Sequence, residues 1–194
     1  MITIFNFISM RRFLLRIYVL ISHCFFLLFY KKEYLRGRWF EGDETKGFHA
    51  CWKFFIPQKI FGFNRHIPFP CHPSCEMGLV RNLQFDVNNI DNFWKTGSYF
   101  QCWGGVISIG SGTYIAQNVG LITENHDINN LDNHLKSQNI SIGRNCWIGM
   151  NSVILPGVVL GDKTIVGAGA VVTSSFPKGH IVIAGVPARV IKEL

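Results

Sequence analysis

The fold is decided by Ile142–Thr173, which reads IGRNCWIGMNSVILPGVVLGDKTIVGAGAVVT. An aliphatic residue recurs at every sixth position of this stretch: Ile142, Ile148, Ile154, Leu160, Val166 and Val172. A helix repeats about every 3.6 residues and a strand about every 2, so neither gives a sustained period of six. Short strands joined by tight corners do give it, with the aliphatic side chain inward and the glycine that follows four of them relieving the bend. The spacing predicts an all-β parallel β-helix with three strands per turn, in which Ile142 stacks on Leu160.

The six-residue spacing begins at Ile109 and is interrupted between Leu121 and Ile142, which lie 21 positions apart. The residues between them are polar, and we expect a loop over residues 124–141 to leave the coil and return in phase. Insertions on one face of a solenoid commonly carry function. We also expect distorted first coils between residues 79 and 105, and a final strand near Ile181–Ala184.

The N-terminal segment is apolar and basic. Residues 13–30 contain one charge, Arg16, and residues 1–40 hold seven basic residues against Glu33 alone. The uncharged part, Ile17 to Tyr30, would reach roughly 21 Å as a helix, which is shorter than a bilayer core of about 30 Å. We therefore expect a helix in the interface of an anionic membrane, the alternative being a helix packed on the coil or on a neighbouring subunit. Nothing in the chain resembles a nucleic-acid-binding fold.

These patterns predict four segments: a basic, apolar helix over 1–38, an irregular cap over 39–78, the coil over 79–186 and a tail over 187–194. The six cysteines do not form a disulfide framework typical of a secreted domain, which favours reduced thiols and a cytoplasmic protein. The cluster of His66, Cys71, His72 and Cys75 matches no common zinc spacing, so we expect no metal.

His126 is the strongest catalytic candidate. It stands at the root of the expected loop, where rigid coil can hold it towards a cleft, and a neutral imidazole can remove a proton from a hydroxyl group. The alternative is an ordinary surface histidine, and His134 is a weaker candidate deeper in the loop. We expect Asp127 to orient the imidazole, with Asp132 and Glu124 as alternatives.

The run from Ile142 to Pro177, with AGVPARVIKEL after it, strongly resembles the hexapeptide-repeat acyltransferases, through its WIG, LPG and AGVPA segments. It is most similar to O-acetyltransferases of the maltose/galactoside type and to those that modify capsular and lipopolysaccharide sugars. The resemblance implies a left-handed β-helix, a homotrimer with active sites between subunits, acetyl-CoA as donor, and His126 as the base for direct attack of an acceptor hydroxyl. The implied setting is the cytoplasm, at the inner face of the cell membrane, and the implied acceptor is a sugar of a surface polysaccharide or its lipid-linked precursor.

The resemblance also implies positions that line the CoA channel: Trp147, Met150, Ala168, Thr173, Ser174, Arg189 and Lys192. Ser174 departs from the lysine common in relatives, and YFQCWGG (99–105) lacks the acidic residue that binds acceptor in galactoside enzymes. We therefore expect Tyr99 or Trp103 to stack on the acceptor. The alternatives are an N-acetyltransferase acting on an amino sugar, a small-molecule acetyltransferase of the same fold (xenobiotic or serine type), and a scaffold or metal-dependent lyase of the γ-carbonic-anhydrase type.

Overall fold

The structure, a computed structural model, describes residues 2–42 and 45–194. It divides into two compact units, the first ending at Pro70 and the second comprising Cys71–Leu194.

The first unit is helical. Helix α1 spans Ile2–Phe26 and helix α2 spans Lys46–Phe55, followed by a π-helical turn over Ile56–Ile60, and a 3₁₀ turn covers Lys32–Tyr34. The two helices pack through aromatic rings, and no helix in the described part of the chain has the length and hydropathy needed to span a bilayer. The expected N-terminal hydrophobic helix is present, and it ends at Phe26, whereas the predicted helical segment extends to residue 38.

A buried amide ties the loops of this unit to its core. Gln58, fully buried, accepts a hydrogen bond from the Tyr30 hydroxyl (2.9 Å) and donates from its amide nitrogen to the Phe69 carbonyl (2.9 Å). Because a buried amide without partners is strongly destabilising, these bonds fix the chain between the π-helical turn and Phe69.

The second unit is the predicted coil, the left-handed parallel β-helix. Its strands form three faces. The first face is β1 (Glu76–Met77), β3 (Tyr99–Gln101), β6 (Gly120–Ile122), β11 (Val153–Ile154) and β14 (Val171–Val172). The second face is β2 (Leu83–Phe85), β4 (Ile107–Ile109), β9 (Ile140–Ile142) and β12 (Val159–Leu160). The third face is β5 (Tyr114–Ile115), β10 (Trp147–Ile148), β13 (Ile165–Val166), β15 (Ile181–Ala184) and β16 (Arg189–Glu193).

The predicted register is confirmed. Ile142 pairs with Leu160, Ile148 with Val166 and Ile154 with Val172, all in parallel strands and all buried. The pattern continues across the insertion, where Ile109, Ile115 and Leu121 lie beneath Ile142, Ile148 and Ile154. The aliphatic side chains therefore form three continuous columns inside the coil, and the insertion leaves their phase intact.

The small residues act differently from the expectation that they relieve the bend. Gly143 and Gly149 do not have positive φ angles; a Cβ at either would lie 2.6 Å from a backbone nitrogen of the next coil. These glycines therefore allow coils to approach closely. The left-handed conformation falls three positions after five of the six aliphatic residues of Ile142–Val172, for example at Asn145, Asn151 and Lys163. Asparagine tolerates that conformation better than most residues with side chains, which suits it to the corners.

The first coil lacks a strand on the third face. A 3₁₀ helix, Val87–Trp94, stands there, and its buried Asn89 and Asn92 form the hydrogen bonds that a strand would form. Asn92 accepts from the Ile115 amide and donates to the Thr113 carbonyl, both at 2.9 Å, so these backbone groups at the edge of β5 are paired.

At the other end of the coil, the strand expected near Ile181–Ala184 is confirmed as β15, and the C-terminal residues return antiparallel to it as β16.

Candidate active site

The root of the extruded loop is clamped to the coil beneath it. The side-chain oxygen of Gln101, on β3, accepts hydrogen bonds from the backbone amides of Thr123 (2.8 Å) and Glu124 (3.0 Å). The Glu124 carboxylate in turn accepts a 2.6 Å hydrogen bond from the Ser137 hydroxyl, across the base of the loop. The chain is therefore fixed on both sides of the point where it leaves the coil.

Beyond this clamp the loop forms a two-stranded antiparallel hairpin, β7 (His126–Asp127) and β8 (Asn130–His134). The His126 ring is exposed, and its Nδ1 lies 2.7 Å from the carbonyl oxygen of Leu131. Because a carbonyl oxygen can only accept, Nδ1 must carry the proton of this bond. In the neutral ring, the lone pair is then on Nε2, which is the form required of a general base.

His134 faces His126 across the hairpin. The two residues are paired in register, and their ring centroids lie 4.2 Å apart with a 37° angle between the planes. The Asp127 carboxylate accepts hydrogen bonds from the backbone and the side chain of Asn129 (2.9 and 3.2 Å). The contacts on the His126 ring are thus the Leu131 carbonyl and the His134 ring, while Asp127 holds the hairpin turn.

One of the two predicted acceptor residues lies on the same edge of the coil as His126, the edge between the first and second faces. Trp103, half exposed, is in the turn from β3 towards β4 on this edge, while Tyr99 begins β3 on the first face, beside Gly120 of β6. Burial first, and then the carboxylates of Glu76 and Glu124, raise the pKa of Tyr99, so the phenol keeps its proton as a hydrogen-bond donor. Between them, burial raises the pKa of the Cys102 thiol to about 11, which makes it a poor nucleophile at neutral pH.

A cavity of about 550 Å³ lies on the third face, and two of the predicted CoA-channel residues, Trp147 and Met150, line it. Lys95 and Tyr114 line it as well. Tyr114 is the register partner of Trp147 on the adjacent strand, and Lys95 Nζ donates to the Ile115 carbonyl at 3.1 Å. The cavity therefore offers two exposed aromatic rings with a cation beside them.

The other predicted CoA-channel residues are divided between edges. Ala168 lies in the corner between the third and first faces, near the cavity edge formed by Met150, and Arg189 and Lys192 are on β16 at the end of the third face. Thr173 and Ser174 follow β14, on the edge that also carries the His126 hairpin. The structure thus groups Trp147, Met150 and Ala168, and places His126 on a different edge of the same coil.

Sequence reasoning missed several contributors to these sites. The Leu131 carbonyl is a backbone group and leaves no signal in side-chain types. Tyr114 has a signal, since Tyr114-Ile115-Ala116 occupies the place that Trp147-Ile148-Gly149 occupies one coil later. Lys95 has no such signal, because it follows the irregular 3₁₀ helix.

Within the described ranges 2–42 and 45–194, no three His, Cys, Asp or Glu side chains are gathered in a group that could hold a metal ion.

Comparison with known proteins places these features in a family context. Residues 139–174 match the family model described as bacterial transferase hexapeptide (six repeats). The chain is 42% identical over 91 residues to the galactoside O-acetyltransferase of Escherichia coli (strain K12), covering 45% of this chain and 44% of that protein. It is 36% identical over 99 residues to a candidate lipopolysaccharide biosynthesis O-acetyl transferase of the same strain, WbbJ, covering 45% and 50%.

Among solved structures, a galactoside acetyltransferase in complex with coenzyme A matches with 37% identity and a TM-score of 0.46, covering 50% of this chain and 48% of that one. The chain spans about half the length of the curated relatives named above. The comparisons confirm the resemblance drawn from the sequence: residues 139–174 are hexapeptide repeats of the bacterial transferase family, and the similarity to sugar O-acetyltransferases extends over about half of the chain.

Proposed function

We propose that this protein is an acetyl-CoA-dependent O-acetyltransferase that transfers an acetyl group to a sugar hydroxyl, with His126 as general base. The observation that carries the proposal is the 2.7 Å contact between His126 Nδ1 and the Leu131 carbonyl, at the clamped root of the loop. It leaves Nε2 as the basic nitrogen of an exposed ring. The similarity to sugar O-acetyltransferases supplies the reaction class and the donor.

In this proposal, His126 Nε2 takes the proton of the acceptor hydroxyl while the hydroxyl oxygen attacks the thioester carbonyl of the donor. The C–S bond of the thioester then breaks as the ester forms, and the His126 imidazolium returns the proton to the departing CoA thiolate. General-base assistance of this kind contributes about 10²–10⁴ in rate. The Leu131 carbonyl stabilises the imidazolium that forms, because it accepts from Nδ1–H in both protonation states. Direct attack requires no nucleophilic side chain, which agrees with the raised pKa of the nearby Cys102 thiol.

We propose a homotrimer in which each active site lies between two subunits. This proposal is supported by the separation of the predicted residues within one chain. His126 is on the edge between the first and second faces. Trp147 lies on the third face, and Met150 lies in the corner between the third and first faces. A single coil does not bring these edges together. A neighbouring copy of the chain can bring its third face to the His126 edge, and cyclic symmetry then repeats the site.

The cavity lined by Trp147 and Met150 is our proposed start of the CoA channel, with Ala168, Thr173, Ser174, Arg189 and Lys192 further along it. Exposed aromatic and thioether side chains offer apolar contact to an adenine or pantetheine group. Arg189 and Lys192 are exposed cations that can bind the phosphates of CoA.

We propose that the acceptor is a sugar of a bacterial surface polysaccharide or of its lipid-linked precursor, stacked on Trp103 or Tyr99. Trp103 lies on the edge that carries His126 and Tyr99 on the first face that leads to it, and aromatic faces suit the apolar faces of sugar rings. The candidate lipopolysaccharide biosynthesis enzyme among the relatives favours this acceptor class. An amino-sugar N-acetyltransferase or a small-molecule acetyltransferase is the alternative, and it would act well on soluble acceptors.

We propose that the protein is cytoplasmic and peripheral on the inner face of the cell membrane, with α1 in the interface. The basic excess of residues 1–40 supports this placement. So do the exposed apolar side chains of α1, such as Leu20, which is 65% exposed.

The proposed activity is tested by release of the CoA thiol from acetyl-CoA in the presence of a panel of glycosides, followed by mass spectrometry of the products. His126→Ala should lower kcat by about 10²–10⁴. His66→Ala, another exposed histidine, should leave kcat unchanged. If the wild-type protein binds acetyl-CoA and is active, and His126→Ala leaves kcat unchanged, the assignment of His126 as the base is contradicted. In the host, deletion of the protein should remove one acetyl group from the surface glycan.

A further inference from the structure

Helix α1 carries an apolar stripe on the side that faces away from the core of its unit. The buried face of α1 includes Ser22 and Phe26. The opposite side exposes large apolar side chains at helical spacing over about three turns: Met10, Phe13, Leu14, Ile17, Leu20 and Ile21. A helix that is apolar on both sides is typical of a buried or a membrane-embedded helix rather than of a surface helix in water. The outer stripe of α1 therefore requires a cover that this unit does not provide.

The same unit has a second apolar stripe. Trp52, Ile56 and Ile60 are spaced four residues apart along α2 and the π-helical turn, and each is more than 40% exposed. Trp52 joins α2 to α1, because its ring stacks on Phe25 at 5.1 Å and its Nε1 donates to Ser22 Oγ, on the buried face of α1, at 2.9 Å. The segment expected to act only as an irregular cap thus contributes its own apolar surface.

A basic groove lies along one side of α1, next to the outer stripe. A cavity of about 570 Å³ is lined by Arg12, Arg16 and His23, which lie along one side of the helix, together with apolar Val19 and Leu20. A second cavity of about 490 Å³ shares His23 and adds Lys32, Arg36 and Glu33. Among the residues that the structure describes, Glu33 is the one acid lining either cavity.

We propose that this groove, lined by Arg12, Arg16, His23, Lys32 and Arg36, binds the phosphate groups of anionic membrane lipids while the two stripes contact the acyl chains. The arrangement has the chemistry of a lipid: cations that match phosphates stand beside apolar side chains that match hydrocarbon. A protein partner would match the apolar stripes equally well, but the excess of cations over Glu33 favours an anionic surface. The first unit then lies against the bilayer, held by two segments rather than by one anchor.

This inference rests on the proposed placement at the membrane, and a vesicle-binding experiment separates the two. The full-length protein is sedimented with vesicles of phosphatidylcholine, and with vesicles in which about a third of the lipid is phosphatidylglycerol. The variant Arg12→Gln/Arg16→Gln should bind anionic vesicles about 25-fold more weakly, since each cation near such a surface contributes about fivefold. Lys163→Asn/Lys178→Gln, an equal loss of charge on the coil unit, should change binding less than about twofold.

A second variant tests the stripe. Ile17→Ser/Ile21→Ser should reduce binding to both kinds of vesicle, with the fold checked by circular dichroism and subunit number by light scattering. A change in subunit number with unchanged vesicle binding would overturn the inference and make the stripe a subunit contact.

Three further outcomes decide the groove. Equal binding to both kinds of vesicle, unaffected by the arginine pair, would overturn the groove and leave the placement at the membrane intact. No binding to any vesicle would overturn both. Binding of glycerol phosphate in solution, by calorimetry, as tightly as the vesicles bind would assign the groove to a soluble phosphate compound instead.

Discussion

At the scale of single residues, the His126 ring is held by two contacts, a hydrogen bond at Nδ1 and the face of His134. The hairpin around it has an exposed surface on both strands, so no core packing fixes the ring. The stacked ring of His134 is therefore expected to limit the rotation of His126.

His134→Ala should lower kcat by about 2- to 10-fold, because an aromatic pair contributes about 0.5–1.5 kcal/mol. His134→Phe keeps an aromatic face and should retain most of the activity. The measurement is kcat for both variants under donor and acceptor saturation. Equal losses in the two variants would show that the imidazole itself, and not its ring face, is required.

Trp147 and Trp103 should separate donor binding from acceptor binding. Trp147→Ala removes the wall of the 550 Å³ cavity and should raise KM for acetyl-CoA, while Trp103→Ala should raise KM for the sugar. In each case kcat should change less, since ground-state contacts are lost. Steady-state kinetics with each substrate varied in turn will check this; a rise in the acceptor KM for Trp147→Ala would place the acceptor in that cavity instead.

The shared position of Trp147 and Met150 could be predicted because a rigid repeat fixes where a residue points, while their role in binding CoA stays a prediction. Trp147 directly precedes the buried Ile148, and Met150 follows it by two positions. The repeat therefore places both side chains on the outside of the coil, where they line one cavity. The contacts of His126 could not be predicted, since they depend on a hairpin outside the repeat and on a backbone carbonyl. Asp127, the expected orienting acid, has its carboxylate hydrogen-bonded to Asn129, and its role in catalysis stays a prediction.

At the scale of elements, the stability of the coil depends on close contact between successive turns. Gly143→Ala should destabilise the protein by about 1–3 kcal/mol, because its Cβ would lie 2.6 Å from the Asp162 amide nitrogen. Gly120→Ala is the matched control, since a Cβ there meets Val153 at an ordinary 3.7 Å. Urea unfolding followed by circular dichroism measures both variants. Similar midpoints for the two would contradict the role of Gly143 in close stacking.

The ion pair between Arg144 and Asp162 joins two corners of the coil. Asp162 accepts from the Arg144 backbone amide and from its guanidinium, both at 2.8 Å, and these contacts lower the pKa of Asp162 below its ordinary value of 3.8. A carboxyl with a lowered folded-state pKa contributes stability above its ordinary pKa and loses it as the pH falls through the folded value.

Asp162→Asn should therefore destabilise the protein at neutral pH, and the difference from wild type should shrink as the pH falls below 3.8. Urea midpoints at neutral and acidic pH give the comparison. A difference that stays constant down to the acid limit would show that the carboxylate charge has no part in the effect.

Which elements could be predicted depends on whether the period of six continues. Ile181–Ala184 and the stacked columns follow from it. The 3₁₀ helix Val87–Trp94 does not, because two asparagine amides take the place of a strand and leave no hydrophobic period. The antiparallel strand Arg189–Glu193 could not be predicted from the sequence either, because its exposed residues resemble a free tail.

At the scale of the whole molecule, the proposed function depends on a second copy of the chain. His126 and the Trp147 cavity are on different edges of one coil, so a monomer should bind donor weakly and transfer slowly. Sedimentation analysis should show a trimer in solution.

The most direct test mixes two inactive variants. His126→Ala lacks the base, and Trp147→Glu places a negative charge in the proposed CoA channel. Each variant alone should be inactive. When the two are co-expressed with different tags and purified through both, sites that take His126 from one subunit and Trp147 from the next are intact. Every mixed trimer then contains one intact site of its three, so activity should reach about one third of the wild-type value per site. Mixed oligomers that stay as inactive as either parent would contradict a site shared between subunits.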